Sequence, residues 1–275
     1  MLQIGTYHTL KTARATKVGL FLVNETEEVL LPNKYVPAEY HIGDDLTVFI
    51  YLDHEERPVA TTLKPYITLN EFAVLKVNYT NSFGAFLDWG LEKDLFVPFK
   101  EQARPMEKDK RYVVFLYLDE KTNRLVASSK INQFLEQEEI DLMVNQEVNL
   151  MVSHITDAGI NVIINGLYKG LAYKNEVYET VSPGYKTKGY IKQIRPDGKI
   201  DVSFQKLGFE VIDDSAKHVL QALKDNKGFL KLTDNSHPEE IKTVLKMSKK
   251  TFKKAIGSLY KQKQIDLKAD GIYLL

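Results

Sequence analysis

The sequence predicts a mainly β protein: three tandem five-stranded barrels followed by a C-terminal α/β winged-helix domain. Three observations predict it. One strand-rich pattern occurs twice and then a third time in weaker form, its period is that of one small domain, and the final segment changes from strand-like alternation to helical spacing.

The first pattern is "KVGLFLVNETEEVLLPNKYVP" (17–37), matched by "SFGAFLDWGLEKDLFVPFKEQ" (82–102): a strand, a polar turn and a second strand closing on proline. The companion pattern is "IGDDLTVFIYLDHEERPVATT" (42–62), matched by "MEKDKRYVVFLYLDEKTNRLVASS" (106–129). A weaker third copy runs through "DAGINVIINGLYKGLAYKNEV" (157–177) and "VSPGYKTKGYIKQIRPDGKIDVSFQK" (181–206). Gly19, Gly84 and Gly159 mark equivalent points, 65 and then 75 positions apart, a variable period that suits tandem domains better than a solenoid. About five short strands per copy predict a small closed barrel, because closure removes the open edges of so small a sheet.

The final segment supplies the helices. "SAKHVLQALKDN" places Val219, Leu220 and Leu223 on one face, and "HPEEIKTVLKM" has proline in its first turn. "SKKTFKKAIGSLYKQKQI" has Ser248 at the N-cap and Phe252, Ala255, Ile256 and Leu259 at core spacing. "IDLKADGIYLL" reads as a hairpin turning at "ADG". Three helices and a terminal hairpin describe a winged helix. The expected domains are 1–66, 67–137, 138–212 and 213–275.

A chain of 275 residues exceeds one ordinary core. Its 37 basic and 37 acidic residues cancel, but not evenly. From Lys217 onward thirteen lysines face six acids, a net +7, which leaves −7 on residues 1–216. With no cysteine, disulfides and thiolate chemistry are excluded. The six histidines show no zinc spacing, no Gly-rich phosphate loop or Gly-x-Ser-x-Gly elbow is present, and the pairs Asp44–Asp45 and Asp213–Asp214 read as turn or linker acids. We therefore expect no catalytic residue, metal, cofactor or small-molecule substrate. The absence of a signal-peptide pattern and of any membrane-length apolar run leads us to expect a cytoplasmic protein with no membrane partner.

"NSFGAFLDWGLEKDLFVPFKEQ" followed by "FLYLDEKTNRLVASSK" resembles an S1-type RNA-binding domain, an oligonucleotide-binding (OB) barrel with a Phe-Gly-x-Phe hairpin and a closing Arg-x-x-x-Ser strand. Three such units before a winged helix resemble the conserved virulence factor B family of bacterial RNA-binding regulators. The resemblance implies single-stranded RNA as partner and a role in gene regulation. It places RNA on Phe83 and Phe86 in the second unit and on Phe21 in the first, where Val18 stands for the earlier aromatic. The third has Ala158 and Asn161 instead. Where the family often has histidine in the next strand, this chain has Leu31, Val97 and Tyr173, of which Tyr173 alone can stack. The basic position before the closing strand is Arg57, Arg124 or Lys199.

Stacking on such rings contributes roughly 1–3 kcal/mol per base without demanding sequence. Phe83 and Phe86 are three apart, so both face outward only with a bulge or bend, which we expect at Gly84. Trp89 either joins this platform or covers the hairpin as a core residue. Lys249, Lys250, Lys253 and Lys254 open the third helix away from its apolar stripe, where they meet phosphate, solvate the helix, or dock on the acidic barrels. A DNA-binding transcription regulator acting through the winged helix and a protein-interaction scaffold are the rival readings.

Overall fold

A computed structural model describes residues 2–136, 139–177, 179–205 and 209–275, with backbone alone for 209–213. The expected boundary at 137/138 lies outside the described residues. The chain divides into two compact units, Met1–Phe134 and Leu135–Leu275.

The first unit holds two barrels. β1 (Tyr7–Ala15), β2 (Gly19–Val23), β3 (Glu28–Pro32), β4 (Asp45–Leu52) and β5 (Pro58–Thr61) close in the order β1-β2-β3-β5-β4, with β3 and β5 parallel. β6 (Phe72–Thr80), β7 (Gly84–Asp88), β8 (Leu95–Pro98), β9 (Arg111–Asp119) and β10 (Arg124–Ser128) repeat the arrangement as β10-β9-β6-β7-β8. Here β8 and β10 lie side by side without exchanging ladder hydrogen bonds, so this barrel keeps an unzipped seam. Alternation explains the fold: in β7, Ala85 and Leu87 are fully buried while Phe86 and Asp88 turn outward.

The register shows no bulge at Gly84: Phe83 faces outward because it lies in the turn before β7, and the bulge of this hairpin is on the opposite strand. The β6–β7 register slips between Val77 and Tyr79, which makes Asn78 the bulged residue. The same slip occurs between Thr12 and Arg14 in the first barrel and between Val152 and His154 in the third. Gly84 has another role. A side chain there would collide with the Val97 carbonyl and the Pro98 backbone, so glycine allows β7 and β8 to approach closely.

The two barrels share a core. Trp89 is 3 % exposed and meets Phe49 and Tyr51 of the first barrel edge-on, with ring centroids 5.8 and 6.4 Å away. Its Nε1 donates to the Lys93 carbonyl at 2.6 Å, which satisfies its polar edge inside the core. Lys93 Nζ donates to the Asp53 carbonyl at 2.7 Å, Arg124 pairs with Glu56, and Lys34 pairs with Glu92.

In the second unit, β11 (Glu147–Thr156), β12 (Gly159–Ile164), β13 (Tyr168–Ala172), β14 (Lys186–Ile194) and β15 (Ile200–Ser203) close as β11-β12-β13-β15-β14 around Val152, Ile164, Ile191 and Val202. α1 (Phe209–Asp225), β16 (Phe229–Leu230), α2 (Pro238–Leu245), α3 (Lys249–Lys261), β17 (Ile265–Lys268) and β18 (Gly271–Leu274) form the winged helix. α1 begins before the stretch whose spacing is helical, so the boundary expected at 212/213 falls inside it. His237 and Glu240 form a capping box on α2, and Ser248 Oγ accepts from the Thr251 amide at 3.0 Å to start α3. The two-residue strand β16 extends the terminal hairpin to three strands, β16-β18-β17, a pairing too short to leave a sequence pattern.

Candidate nucleic-acid interface

The bulge at Asn78 sets the site. Beyond it, Tyr79 faces Phe86 across β6–β7, and Phe86 faces Phe96 across β7–β8. The rings form a ladder: Tyr79 and Phe86 stack with centroids 4.5 Å apart and planes 9° apart, and Phe96 follows at 5.0 Å. Phe83 stands at the end of β7 in a turn held by Asn81, whose Oδ1 accepts from the amides of Phe83 at 2.8 Å and Gly84 at 3.2 Å. Phe83 is 71 % exposed and Tyr79 45 %. An exposed apolar cluster of this kind costs hydration free energy and marks a binding surface.

The ladder borders a groove of about 380 Å3 along the unzipped seam. Phe83, Phe86 and Phe96 form one wall, Arg124 and Val126 of β10 another, and Tyr51 and Glu56 of the first barrel a third. Arg124 donates to Glu56 at 2.6 Å, and its side chain remains half exposed. A guanidinium has five N–H donors, so this pair leaves others for a phosphate. Lys93 is in the groove too, and burial, with Arg124 nearby, holds its ammonium below the ordinary lysine value.

Trp89 lines the floor of the groove but is only 3 % exposed, with Phe49 and Tyr51 edge-on beside it, so of its two readings this burial supports the core one. Tyr79 and Phe96 take the places in the ladder that sequence reasoning missed. Phe96 alternates outward with Phe86, but Tyr79 has the wrong parity until the bulge is known.

The equivalent rungs of the other barrels differ. In the first, Arg14, Phe21 and Leu30 are aligned, and the Arg14 guanidinium lies 3.8 Å over the Phe21 ring while pairing with Glu28 at 2.8 Å. Phe21 therefore has one face occupied by a cation. In the third, the rung is His154, Asn161 and Leu171. Tyr173 is not the counterpart of Leu31 and Val97: Ala172 pairs with Ile160 as those residues pair with Leu20 and Ala85, so Tyr173 stands one position further on. Its hydroxyl accepts from Arg195 at 2.5 Å, and Lys192 lies 5.3 Å from its ring centroid. Arg57 and Lys199 pair with Asp53 and Asp197 at 2.8 and 2.7 Å, as turn staples.

On the winged helix, Phe252, Ala255, Ile256 and Leu259 are buried as their spacing predicts, and Lys250, Lys253 and Lys254 are exposed. Lys249 donates to the Asn235 carbonyl at 3.2 Å, and Lys253 lies 3.8 Å from Asp234. Among the described residues, Lys250 and Lys254 have no hydrogen bond or ion pair. The Asp213 side chain lies outside the described residues; Asp44 caps the His41 amide at 2.7 Å and Asp45 pairs with Lys11. Among the described residues no helix is long and apolar enough to cross a membrane.

OB barrels in series with a winged helix define a nucleic-acid-binding protein. The S1 domain model matches residues 4–63 and 71–130, and the model of the CvfB-like winged helix domain matches residues 217–274. The chain thus carries two S1 domains and a CvfB-like winged helix domain, and it is similar over most of its length to proteins named conserved virulence factor B. Conserved virulence factor B of Staphylococcus saprophyticus is 29 % identical over 244 residues, spanning 86 % of this chain and 81 % of that protein. The Bacillus subtilis protein YitL is 28 % identical over 273 residues, spanning 95 % and 90 %. A crystal structure of a multidomain protein with nucleic acid binding domains from Streptococcus pneumoniae is 22 % identical, aligned over 99 % of each chain with a TM-score of 0.44.

Proposed function

We propose that the protein grips single-stranded RNA on the second barrel, with the third barrel and the winged helix adding weaker contacts, and that it works in the cytoplasm as a regulator of gene expression rather than as an enzyme. The aromatic ladder carries this reading. Tyr79, Phe86, Phe96 and the projecting Phe83 offer bases several π-faces on one exposed strip, a geometry suited to an unpaired strand and not to the stacked interior of a duplex. Joining this site to weaker ones raises avidity through effective concentration. The likeness to proteins named for virulence supports the regulatory role.

The lysines of α3 support a part for the winged helix. Lys249 and Lys250 occupy the positive end of the helix dipole, which costs each about 0.3–1 kcal/mol, and no acid balances them in the first turn. Phosphate at that helix end offsets the cost. The same observation favours the second reading, a DNA-binding regulator that meets duplex through α3. Competition between single-stranded RNA and duplex DNA of equal length separates the two. We expect the RNA to bind more tightly; equal or tighter binding of the duplex assigns the protein to the second reading.

A further inference from the structure

The groove beside the ladder contains a carboxylate that the stacking reading does not use. Asp94 stands immediately before β8, in outward phase with Phe96, as Asp88 is in phase with Phe86 on β7. Next to the aromatic rung of Tyr79, Phe86 and Phe96 lies a polar one in which Lys76, itself paired with Asp109 at 2.7 Å, faces Asp88 across β6–β7, and the bulged Asn78 stands between the two rungs on β6. Asn78 Nδ2 donates to Asp94 Oδ1 at 2.8 Å, which fixes the carboxylate, and Asp88 is turned to the Gly90 amide at 3.0 Å. Among the described residues no cation pairs with Asp94, although it is half-buried and lines the groove with Phe86, Phe96, Lys93 and Arg124. A carboxylate taken partly out of water without a cation is unfavourable, and burial holds its carboxyl above the ordinary aspartate value.

The spacing suggests what it meets. Residues two apart on a strand are separated by about 6.7 Å. A base lying flat on Phe86 and Phe96 spans about that distance from its ring centre, through its Watson–Crick edge and one hydrogen bond of about 2.9 Å, to the next rung. We propose that Asp94 reads the Watson–Crick edge of a guanine stacked on Phe86 and Phe96. An ionised carboxylate only accepts hydrogen bonds. Guanine presents two neighbouring donors, N1–H and the N2 amino group, and its O6 acceptor suits Lys93 or Arg124 in the same groove. Uracil sets its single donor between two carbonyls, which face the carboxylate unfavourably. Adenine and cytosine offer one amino donor beside a bare ring nitrogen. The ladder thus supplies sequence-tolerant stacking, and Asp94 a preference at one base.

This assignment rests on the reading of the second barrel as the RNA platform, and the test separates the two. Short oligouridines with guanosine, inosine or uridine at one central position are titrated against the intact protein, Asp94→Asn and Phe86→Ala, with melts to confirm folding. We expect the wild type to bind the guanosine oligomer about tenfold more tightly than its inosine counterpart, which lacks the N2 amino group. Asp94→Asn should bring the two within about twofold and leave the all-uridine affinity unchanged, whereas Phe86→Ala weakens all three oligomers. A Phe86-dependent protein that does not distinguish guanosine from inosine, or an Asp94→Asn variant that keeps the ratio, overturns the Asp94 assignment alone. Failure to bind any of the oligomers, or binding indifferent to Phe86→Ala, overturns the platform and the assignment with it.

Discussion

The ring of Tyr79 lies 4.5 Å from that of Phe86, with the two planes 9° apart. The contact exists because one residue, Asn78, is left out of the β6–β7 ladder, which moves Tyr79 onto the face that Phe86 already occupies. Pairs of this kind contribute about 0.5–1.5 kcal/mol beyond the area they bury. A preformed stack also lowers the ordering cost of binding, since its rings are positioned before a base arrives.

Phe83→Ala and Phe86→Ala should each weaken single-stranded RNA binding by roughly 1–3 kcal/mol. Phe83, at 71 % exposure, should do so with no change in melting temperature. Phe86 touches Tyr79 and Phe96, and its truncation should lower stability only slightly. Titrations run beside thermal melts check both. A large fall in melting temperature with unchanged affinity per folded molecule contradicts the platform.

Trp89→Ala should act in the opposite way. Emptying a core site of this size costs about 3–5 kcal/mol. Because Trp89 packs against Phe49 and Tyr51, the loss should fall on the first and second barrels together, as one earlier transition covering both. Hydrogen exchange resolved by peptide reads this directly: protection lost in the second barrel alone contradicts a shared core.

The repeat, the barrels and the core stripe of α3 were legible in the sequence because alternation and helical spacing are local. The ladder was legible only in part. Phe83 and Phe86 stood out beside a glycine, but Tyr79 depends on a bulge whose only trace is Asn78, a polar residue of no special type. Trp89 was ambiguous because its burial comes from residues forty and thirty-eight positions earlier, Phe49 and Tyr51. Tyr173 was misplaced by one position since its strand carries "YKGLA" where the others carry "EVLLP" and "LFVP", and the register shows only in the pairing.

The lysines of α3 should divide into two pairs. Lys250→Gln with Lys254→Gln should reduce the dependence of log affinity on log salt by about 1.4, two single-strand phosphate contacts at about 0.7 each. Lys249→Gln with Lys253→Gln should change it less, because these lysines already have the Asn235 carbonyl and Asp234 as neighbours. Glutamine keeps helix propensity nearly constant. Unchanged affinity and slope in the first pair mean that the lysines only solvate the helix.

Asp94 gives a pH signature independent of RNA. Burial raises its folded-state pKa, opposed by the Asn78 hydrogen bond and assisted by Asp88. A raised value means that ionisation works against folding. The contribution to stability is complete below the unfolded value of about 3.9 and is lost as pH rises through the folded value. Asp94→Asn removes that loss and keeps the acceptor for Asn78, so it should melt above the wild type at pH 7, with the difference closing below about pH 4. A variant no more stable than the wild type at pH 7 contradicts the unpaired carboxylate.

The central claim is that RNA lies on the aromatic strip of the second barrel. Photo-crosslinking tests it most directly: a single-stranded RNA of mixed sequence with photoreactive uridines is irradiated on the intact protein, and the modified peptides are mapped. The account predicts crosslinks concentrated on the segments that carry Tyr79, Phe83, Phe86 and Phe96, with fewer on α3. Crosslinks confined to α3 or to the third barrel, with none on those segments, would contradict it.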